Sequence, residues 1–367
     1  MPTITTTVHC PVHNSFRVQQ VAGLFDLPIE ERWQETFTAE LPSLDQSWTI
    51  GAIVGPSGSG KSTLARAAFG DALYAGGDWP DDRAIIDCLG DAPIQQITRT
   101  LTAVGLGSPP AWTKPYRALS NGERFRCDLA RALLRNRAAT NELIVFDEFT
   151  SVVDRTVAKF ASAAVNRALR RELRKRFVAV TCHYDVLEWL EPDWTLDLAT
   201  GELSWRRLRR PELRIAIERC PQRVWRLFAR HHYLSGGLSR GATCYLARWE
   251  GQPVAFCAVV AMIGRSRHKR ITRLVTLPDF QGLGIGTRLL DAVSEYYLAQ
   301  GVRVGITATH PAIVGYCRRS DRWRLTGVRR AGNPTLQRVG ERVIRNSAGR
   351  SVTSFEYVGQ ELVGQIG

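Results

Sequence analysis

The sequence predicts an α/β protein with two domains, and two kinds of pattern lead to this prediction. Short apolar runs at residues 48–55, 142–148 and 176–183 each end at polar residues, as the buried strands of a parallel sheet do. Two glycine-rich turns, at residues 54–62 and 281–286, each precede a stretch with the apolar spacing of a helix. A turn of this kind presents free backbone amides, which suit an anionic ligand.

Charge divides the chain into two unequal parts. Residues 1–205 contain 21 Lys and Arg against 25 Asp and Glu, whereas residues 206–367 contain 28 against 10. A part this basic favours a nucleic acid or another polyanion as its partner, although a solvated arginine-rich surface would show the same composition. The basic cluster at residues 206–212 marks the boundary. We therefore predict domains at 1–205 and 213–367 with a basic linker between them.

The sequence shows no segment for crossing or entering a membrane. The longest uncharged apolar run, residues 251–264, is shorter than the roughly 20 residues that a membrane helix needs. The N-terminus lacks the basic start and apolar stretch of a secretory signal. We expect a soluble cytoplasmic protein.

The first glycine-rich turn, GPSGSGKS at residues 55–62, fits the phosphate-binding P-loop pattern in full. The glycines allow backbone amides to surround the phosphates, and Lys61 would reach the β and γ oxygens. The hydroxyl of Ser62 would bind Mg²⁺. The candidate contact residues are Gly55, Ser57, Gly58, Gly60, Lys61, Ser62 and Thr63.

The segment LIVFDEF, residues 143–149, supplies the acidic partners of this loop. Asp147 follows an apolar strand, where its carboxylate can help to hold Mg²⁺. Glu148 is placed to orient or polarise the attacking water. A strand end with two acids is often only a solvated terminus, but a P-loop in the same domain favours the functional interpretation.

With these motifs, residues 15–200 resemble the ABC-type ATPase family. LSNGE at residues 119–123 resembles the family's signature loop, with Asn121 in place of a glycine, and SVVD at 151–154 resembles the loop after the second Walker motif. His183 resembles the switch histidine that contacts the γ-phosphate. Gln95 or Gln96 falls at the position of the family's glutamine loop.

The resemblance implies ATP and Mg²⁺ as ligands and two catalytic residues, Glu148 and His183. It also implies nucleotide contacts from Ser120 and Gly122 and a Mg²⁺ contact from Gln95. In this family ATP lies between the P-loop of one subunit and the signature loop of another, so the resemblance implies a head-to-tail homodimer. Because only 23 residues separate Gln95 from Leu119, the segment that transporters use to grip a membrane subunit is short, which argues against a transporter.

The second glycine-rich turn, QGLGIG at residues 281–286, matches Q-x-x-G-x-G and not the dinucleotide pattern G-x-G-x-x-G. Its physics is that of the first turn, because successive free amides at a helix N-terminus bind a pyrophosphate. A strand at 270–278 leads into it, a helix at 288–301 ends at Gly301, and a strand at 302–309 follows. A glycine-rich turn without a ligand is the alternative.

This order resembles the core of the GNAT acyltransferase family, over residues 213–360. Residues 244–260 resemble its antiparallel hairpin, with the turn at Glu250 and Gly251, and residues 351–359 would form the last strand. The segment after residue 213 begins with helical spacing. The fold class is thus α/β, with a P-loop ABC-type ATPase domain followed by a GNAT α+β acyltransferase domain.

The GNAT resemblance implies acetyl-CoA as the acyl donor. Tyr316 lies near the position of the family's tyrosine, which protonates the leaving thiolate, although a half-buried structural tyrosine is an equal alternative. Among His231, His232 and His310, the available titrating groups, we take His232 as the candidate base. The candidate donor contacts are Leu274, Val275, Thr276, Gln281, Gly282, Gly284, Gly286 and Thr287.

Two basic stretches suggest the acceptor. Residues 264–270 (GRSRHKR) form a compact basic loop, and residues 318–324 (RRSDRWR) add arginines and Trp323, a combination that suits phosphate contact and base stacking. The second half is similar to Mom-like GNAT proteins, which modify adenine in phage DNA. We therefore expect a nucleic acid, DNA or RNA, with a base amine as the target.

Three functions remain open at this point. The first is an ATP-hydrolysing ABC-type clamp coupled to an acyltransferase that modifies a nucleic acid. The second is a protein or small-molecule N-acetyltransferase regulated by ATP. The third is a nucleic-acid clamp without transferase activity, whose GNAT half only binds.

Overall fold

A computed structural model describes residues 2–11, 13–25, 32–135, 143–173, 175–205, 208, 210–232, 237–330, 338–339, 342–343 and 351–359. The strands, β1 to β17 in chain order, are Thr3–Pro11, Arg32–Glu40, Ile50–Val54, Leu73–Tyr74, Leu143–Phe146, Arg176–Thr181, Trp194–Asp197, Glu202–Ser204, Ala216–Cys220, Thr243–Trp249, Gln252–Ala261, His268–Thr276, Arg303–Ala308, Trp323–Arg330, Arg338–Val339, Arg342–Val343 and Ser351–Tyr357. The α-helices, α1 to α10, are Phe16–Phe25, Lys61–Phe69, Ile94–Ala103, Pro109–Trp112, Asn121–Leu134, Arg155–Ala168, Leu187–Leu190, Trp225–Phe228, Ile285–Leu298 and Pro311–Arg319.

The chain forms two compact units, and each is discontinuous in sequence. Unit 1 comprises residues 1–77, 136–152 and 169–209, and unit 2 comprises residues 78–135, 153–168 and 210–367. Part of the N-terminal half thus packs in the same unit as the C-terminal half. The domains predicted at 1–205 and 213–367 stay a prediction, because the two compact units are defined by contacts in space and not by continuous stretches of sequence. Arg206, Arg207 and Arg209 of the predicted linker lie outside the described residues.

Unit 1 is built on a sheet with the order β4-β5-β6-β3-β7-β8. All its pairs are parallel except β7 and β8, which form a hairpin with Gly201 (φ 72°) in the turn. The sequence predicted the three central strands β3, β5 and β6, and the structure confirms them. Because β5, β6 and β3 are parallel neighbours, the loops that follow them emerge at one edge of the sheet.

Unit 2 is built on a sheet with the order β14-β17-β13-β12-β11-β10-β9. Its pairs are antiparallel except the parallel pair β12 and β13, between which α9 crosses. The predicted hairpin is present as β10 and β11, and Glu250 (φ 48°) and Gly251 (φ 79°) form its turn. The mixed α/β class predicted from the sequence is therefore confirmed.

The helical spacing predicted after residue 213 is wrong at its start. Ala216–Cys220 is strand β9, which pairs antiparallel with β10 at the edge of the sheet. Among the described residues of the segment 214–232, Trp225–Phe228 is the α-helical part. A five-residue edge strand is decided by its partner strand rather than by its own periodicity, so tertiary pairing overrode the local pattern.

Tight packing in unit 1 fixes the strand that leads into the first glycine-rich turn. Trp194 of β7 is fully buried and meets Trp48 edge to face, with ring centroids 5.5 Å apart. A Cβ atom on Gly51 of β3 would lie 2.1 Å from the Trp194 ring. Glycine at this position therefore allows the indole ring to lie flat against β3.

None of the helices in the described ranges combines the length and the apolar character that crossing a bilayer requires.

Replacing Gly51 with alanine should lower the urea midpoint of unfolding, followed by circular dichroism, because overpacking a core costs about 1–3 kcal/mol. Gly23→Ala in α1 is the matched control, since no atom lies within 4 Å of its added Cβ. The control should leave stability unchanged or raise it by about 0.5–1 kcal/mol. Equal midpoints for Gly51→Ala and the unsubstituted protein would show that the Trp194 ring moves aside without strain.

Candidate nucleotide and acyl-donor sites

The predicted phosphate loop joins β3 to α2, and its backbone leaves the start of α2 open. Gly58 (φ 83°) and Gly60 (φ 79°) adopt the left-handed conformation, which favours glycine. Gly60 immediately precedes α2, and no side chain caps the first turn of this helix. The first amides of a helix lack partners within it, so they and the helix dipole attract an anion. Between the end of β3 and the first turn of α2 lie all the predicted contacts: Gly55, Ser57, Gly58, Gly60, Lys61, Ser62 and Thr63.

The side chains around this loop fit a nucleotide phosphate. The ammonium of Lys61 donates to the carbonyl of Pro56 at 2.6 Å, which keeps its charge over the loop. The buried hydroxyl of Ser59 has no hydrogen-bond partner among the described residues. A Cβ atom on Gly60 would lie 2.3 Å from the Phe37 ring, so glycine is required for this close approach.

Ser62 and Asp147 form the candidate metal site. The Ser62 hydroxyl donates to Oδ1 of Asp147 at 2.8 Å, and Asp147 is only 9% exposed. The described part of the chain holds no group of three or more His, Cys, Asp or Glu residues placed to bind a metal. One carboxylate and one hydroxyl suit Mg²⁺, which usually completes its octahedron with phosphate and water oxygens.

Glu148 is exposed at the end of β5 and has a strained backbone. Its φ is 52°, and Thr150 has a φ of 69°, both in the left-handed region that non-glycine residues rarely adopt. The Glu148 amide donates to Oδ1 of Asp147 at 3.0 Å, and the Ser151 amide donates to the Glu148 carbonyl at 3.1 Å. Such strain persists only where surrounding contacts hold it, and it often marks a functional position.

His183 follows β6, the strand between β5 and β3. Its amide donates to the Thr181 hydroxyl at 3.1 Å. The phosphate loop, Asp147, Glu148 and His183 therefore follow three adjacent parallel strands of unit 1. Their positions agree with a nucleotide site at the carboxyl edge of the sheet.

The predicted signature loop and glutamine loop belong to unit 2. Ser120 caps α5, since it accepts from the Glu123 amide at 3.3 Å while its own amide donates to the Glu123 carboxylate at 2.9 Å. Gly122 is buried, and a Cβ atom there would lie 3.2 Å from Val157. Gln95 and Gln96 are both exposed in the first turn of α3, so exposure does not distinguish them.

In the GNAT half, β12 has one strand edge that is only partly paired. It pairs with β11 as far as Thr276, but with β13 only over residues 268–271. The predicted donor contacts Leu274, Val275 and Thr276 lie beyond that parallel pairing. A strand edge that diverges from its neighbour offers backbone groups to an extended ligand.

The second glycine-rich turn repeats the backbone of the first. Gly284 (φ 77°, ψ 21°) precedes α9 as Gly60 (φ 79°, ψ 11°) precedes α2, and neither helix has a side-chain cap. Gly286 and Thr287 lie in the first turn of α9, and a Cβ on Gly286 would be 2.7 Å from the Thr276 hydroxyl. The turn therefore fits a pyrophosphate by the same physics as the first.

Gln281 and Gly282 are held by other parts of unit 2. The Gly107 amide donates to Oε1 of Gln281 at 2.7 Å, and Nε2 of Gln281 donates to the Thr276 carbonyl at 3.0 Å. A Cβ atom on Gly282 (φ 93°) would lie 2.5 Å from Cβ of Ala164 in α6. The Gln281 side chain thus orients the turn in this structure, whereas the sequence predicted it as a ligand contact.

Tyr316 of α10 donates its hydroxyl hydrogen to Asp291 of α9. Asp291 is buried, and its other oxygen accepts from the Trp323 indole at 2.9 Å. Burial, followed by the Asp291 hydrogen bond, raises the pKa of Tyr316 to about 12. The hydroxyl is therefore protonated at neutral pH, as an acid must be.

The three candidate histidines occupy different settings. His232 follows the short 3₁₀ segment Ala229–His231, and its ring meets Trp225 with centroids 5.7 Å apart. Burial lowers the pKa of His231 and of His310. His310 caps α10 through Nδ1 and contacts the Gly107 carbonyl through Nε2 at 2.7 Å, which is a structural use of both nitrogens.

Each basic stretch combines exposed arginines with one buried residue. Arg265 and Arg267 are exposed in the loop before β12, whereas His268 is buried. Trp323, interpreted from the sequence as a stacking residue, is only 5% exposed and has its indole nitrogen bound to Asp291. That interpretation is wrong, because the indole is a core group of unit 2.

Gly107 and Ala164 contact the second glycine-rich turn, and Arg126 contacts Asp279 just before it. All three belong to the N-terminal half, and the sequence did not predict these contacts. Nothing in the local pattern of these residues marks them. Their role depends on contacts across more than one hundred residues of chain.

Comparison with known proteins gives one family for each half of the chain. Residues 33–231 match the family described as Novel STAND NTPase 1, and residues 202–317 match the family described as Acetyltransferase (GNAT) family. The ribosome protection protein VmlR of Bacillus subtilis (strain 168) is 31% identical over 122 residues. That match covers 28% of this chain and 22% of VmlR, so the chain spans about a fifth of that relative.

Two solved structures are similar to parts of the chain. The dimeric post-hydrolysis ATP-binding cassette MJ0796 bound to ADP and Pi is 18% identical, with a TM-score of 0.35, over 44% of this chain and 86% of that one. The IAA acetyltransferase from Bacillus cereus ATCC 14579 is 16% identical, with a TM-score of 0.29, over 39% of this chain and 99% of that one.

The NTPase match covers more than half of the 367 residues, and the GNAT match covers much of the rest. The chain therefore belongs to the family described as Novel STAND NTPase 1, and it joins an NTPase domain to a GNAT acetyltransferase domain.

Proposed function

We propose that this enzyme transfers an acetyl or related acyl group from a coenzyme A thioester to a base amine of a nucleic acid, and that its ATPase half acts as a clamp on that substrate. The observation that carries the proposal is the pair of uncapped helix N-termini after Gly60 and Gly284. Each offers free amides to a different phosphorylated ligand.

The nucleotide site would use the residues at the carboxyl edge of the unit 1 sheet. Lys61 and the amides of its loop would bind the phosphates, and Ser62 and Asp147 would hold Mg²⁺, which neutralises phosphate charge when bound. Glu148 is exposed and would orient the attacking water. His183 would contact the γ-phosphate from the adjacent strand.

The clamp requires two copies of the chain. Ser120 and Gly122 stand at the N-terminus of α5, whose capping box uses the amides of Ser120 and Glu123. In the proposed dimer the amide of Gly122 would meet a phosphate. Gln95 lies in the first turn of α3 and would add a Mg²⁺ contact. In the proposed head-to-tail homodimer, these residues of one copy close the P-loop of the other.

The acyl donor would lie along β12 and end at the turn before α9. Leu274, Val275 and Thr276 present the diverging strand edge to the extended arm of coenzyme A. Gly284, Gly286 and Thr287 present amides to its pyrophosphate. Gln281 and Gly282 keep that turn in place.

Transfer would form a C–N bond to the acceptor amine and break the C–S bond of the thioester. The amine loses a proton, and the leaving thiolate gains one. Tyr316 carries a proton at neutral pH and is the candidate acid, provided that its hydroxyl turns away from Asp291. His232 is the candidate base, since an imidazole titrates near neutral pH.

The charge of the second half supports a nucleic acid as the acceptor. Residues 206–367 hold 28 Lys and Arg against 10 Asp and Glu, and Arg265, Arg267 and Arg270 are exposed around the start of β12. An exocyclic base amine lies within the base stack, and flipping it out costs a few kcal/mol, which a clamp that distorts the duplex could offset.

Mass spectrometry of nucleosides from cells with and without this protein tests the acceptor directly. We expect an acylated nucleoside only in cells that contain the protein. Acyl groups found only on proteins or small molecules would support the ATP-regulated N-acetyltransferase instead. Nucleic-acid binding with no acetyl-CoA binding would support the clamp without transferase activity.

Glu148→Gln should lower the ATPase rate by about 10²–10⁴-fold, the usual contribution of a general base. It should retain ATP, because the amide keeps the shape of the carboxylate. In light scattering with ATP, its mass should double. Lys61→Ala is the control that should lose both ATP binding and the dimer. A Glu148→Gln mass that stays monomeric with bound ATP would contradict the clamp.

Gly284→Asp should weaken acetyl-CoA binding by at least about tenfold in isothermal titration, which corresponds to about 1.4 kcal/mol. The added carboxylate would repel the pyrophosphate at the start of α9. Gly284→Asn is the matched control, because asparagine tolerates the left-handed conformation and has the same shape without charge. Equal affinities of the two variants would show that no anion binds at this turn.

Replacing Arg265 and Arg270 together with glutamine should weaken DNA and RNA binding and flatten its salt dependence. Each lost phosphate contact lowers the slope of log affinity against log salt by about 0.9 for duplex DNA. The double substitution Arg17→Gln and Arg83→Gln is the control, since these exposed arginines lie in the half without excess positive charge. A slope unchanged by the first pair would place the nucleic acid elsewhere.

A further inference from the structure

The turn that carries Gly284 packs against helices of the N-terminal half, within unit 2. Phe160 of α6 meets Phe280 and Trp249 edge to face, with ring centroids 4.9 and 5.0 Å apart. Glycine at 282 allows α6 to approach, as described above. We call residues 278–284 the donor turn.

A buried arginine connects the donor turn to the predicted signature loop. Arg126 of α5 is 0% exposed. Its Nη2 donates to the carbonyl of Asp279 at 3.0 Å, and its Nη1 donates to the carbonyl of Gly122 at 3.4 Å. Its Nε has no hydrogen-bond partner among the described residues. One guanidinium therefore contacts both the signature loop and the donor turn.

The charges around Arg126 come from the donor turn and from the starts of α5 and α6. Burial lowers the pKa of the Arg126 guanidinium, and the carboxylates of Asp279, Glu123 and Asp154 oppose this effect, in that order. Glu123 caps α5, Asp154 caps α6, and Asp279 belongs to the donor turn. A buried cation is stable only while its partners stay in place, so a movement of either region changes the energy of the other.

Gly107 makes a second connection between the donor turn and the N-terminal half. The Gly107 amide binds Gln281, and the Gly107 carbonyl binds His310 at the start of α10. Gly105 (φ 91°) approaches the Gln281 carbonyl so closely that an added Cβ would lie 3.0 Å from it. The donor turn is thus anchored by α5, by α6 and by the segment between α3 and α4.

We propose that Arg126 is a positioning residue that couples nucleotide binding at the signature loop to acyl-donor binding at the donor turn. The inference rests on the proposed function, because it requires both ligands. A nucleotide phosphate held by the P-loop of a second copy would contact Gly122 and restrict the motion of the start of α5. Through its two hydrogen bonds, Arg126 would then also restrict the motion of Asp279. Since the ordering is then already complete, the donor binds with a smaller entropic loss, and the two ligands bind cooperatively.

The coupling can be measured as a ratio of affinities. In the Glu148→Gln background, which holds ATP, acetyl-CoA should bind at least about fivefold more tightly with ATP than without it, within the usual range of allosteric coupling. Acetyl-CoA should strengthen ATP binding by the same factor, because linkage is reciprocal. Arg126→Lys should bring both ratios close to one, since an ammonium cannot reach both carbonyls.

Arg131→Lys is the matched control on the same helix. The Arg131 guanidinium lies over Trp79, 4.6 Å from the ring centroid, and donates to the Asp78 carbonyl. The Arg131→Lys variant should keep the same ratio of acetyl-CoA affinities with and without ATP as the parent protein. If Arg126→Lys fails to fold, the coupling is tested instead by hydrogen exchange of residues 278–286 in the parent protein. We expect slower exchange of these amides when ATP is added.

The outcomes separate this inference from the proposed function. If acetyl-CoA binds equally with and without ATP, or if Arg126→Lys keeps the full ratio, the coupling through Arg126 is refuted while the transferase proposal stands. If acetyl-CoA does not bind at all, the proposed function fails first. A purely structural Arg126 would lower stability and leave the ratio unchanged, which also refutes the inference.

Discussion

The structure depends on a single backbone device that is used twice, a left-handed glycine directly before a helix. Gly60 and Gly284 turn the chain so that the first amides of α2 and α9 have no side-chain cap. A residue with a Cβ atom is strained in this conformation, and at Gly60 it would also collide with Phe37. Helix amides without a cap are favourable only with water or an anion, which is why we propose both turns as anion sites.

The sequence was sufficient for the central strands and both glycine-rich turns because these features are local. Continuous apolar runs predicted β3, β5 and β6, and the Glu250-Gly251 pair predicted the hairpin turn. The strand β9 was not predictable in this way, because a short edge strand takes its conformation from β10. Local periodicity therefore succeeds where burial on both faces sets the pattern and fails at a sheet edge.

Side-chain roles were harder to predict because they depend on partners distant in sequence. Trp323 lies among arginines in the chain, yet its indole points to Asp291 in the core. Tyr316 shares the same carboxylate, which couples the candidate acid to a structural network. Gln281 fits a ligand-binding motif, yet its amide binds Gly107 from the other half of the chain. Spacing along the chain contains no information about such contacts.

The ATPase motifs predicted from the sequence are divided between the two compact units. The P-loop, Asp147, Glu148 and His183 belong to unit 1, whereas the signature loop belongs to the unit that holds the donor turn. The proposed effect of nucleotide on the acyl donor therefore has to reach the donor turn through the signature loop, which lies in the same unit. Within that unit the signature loop and the donor turn share Arg126, and the cost of leaving a buried cation without its partners is the physical basis of the coupling we propose.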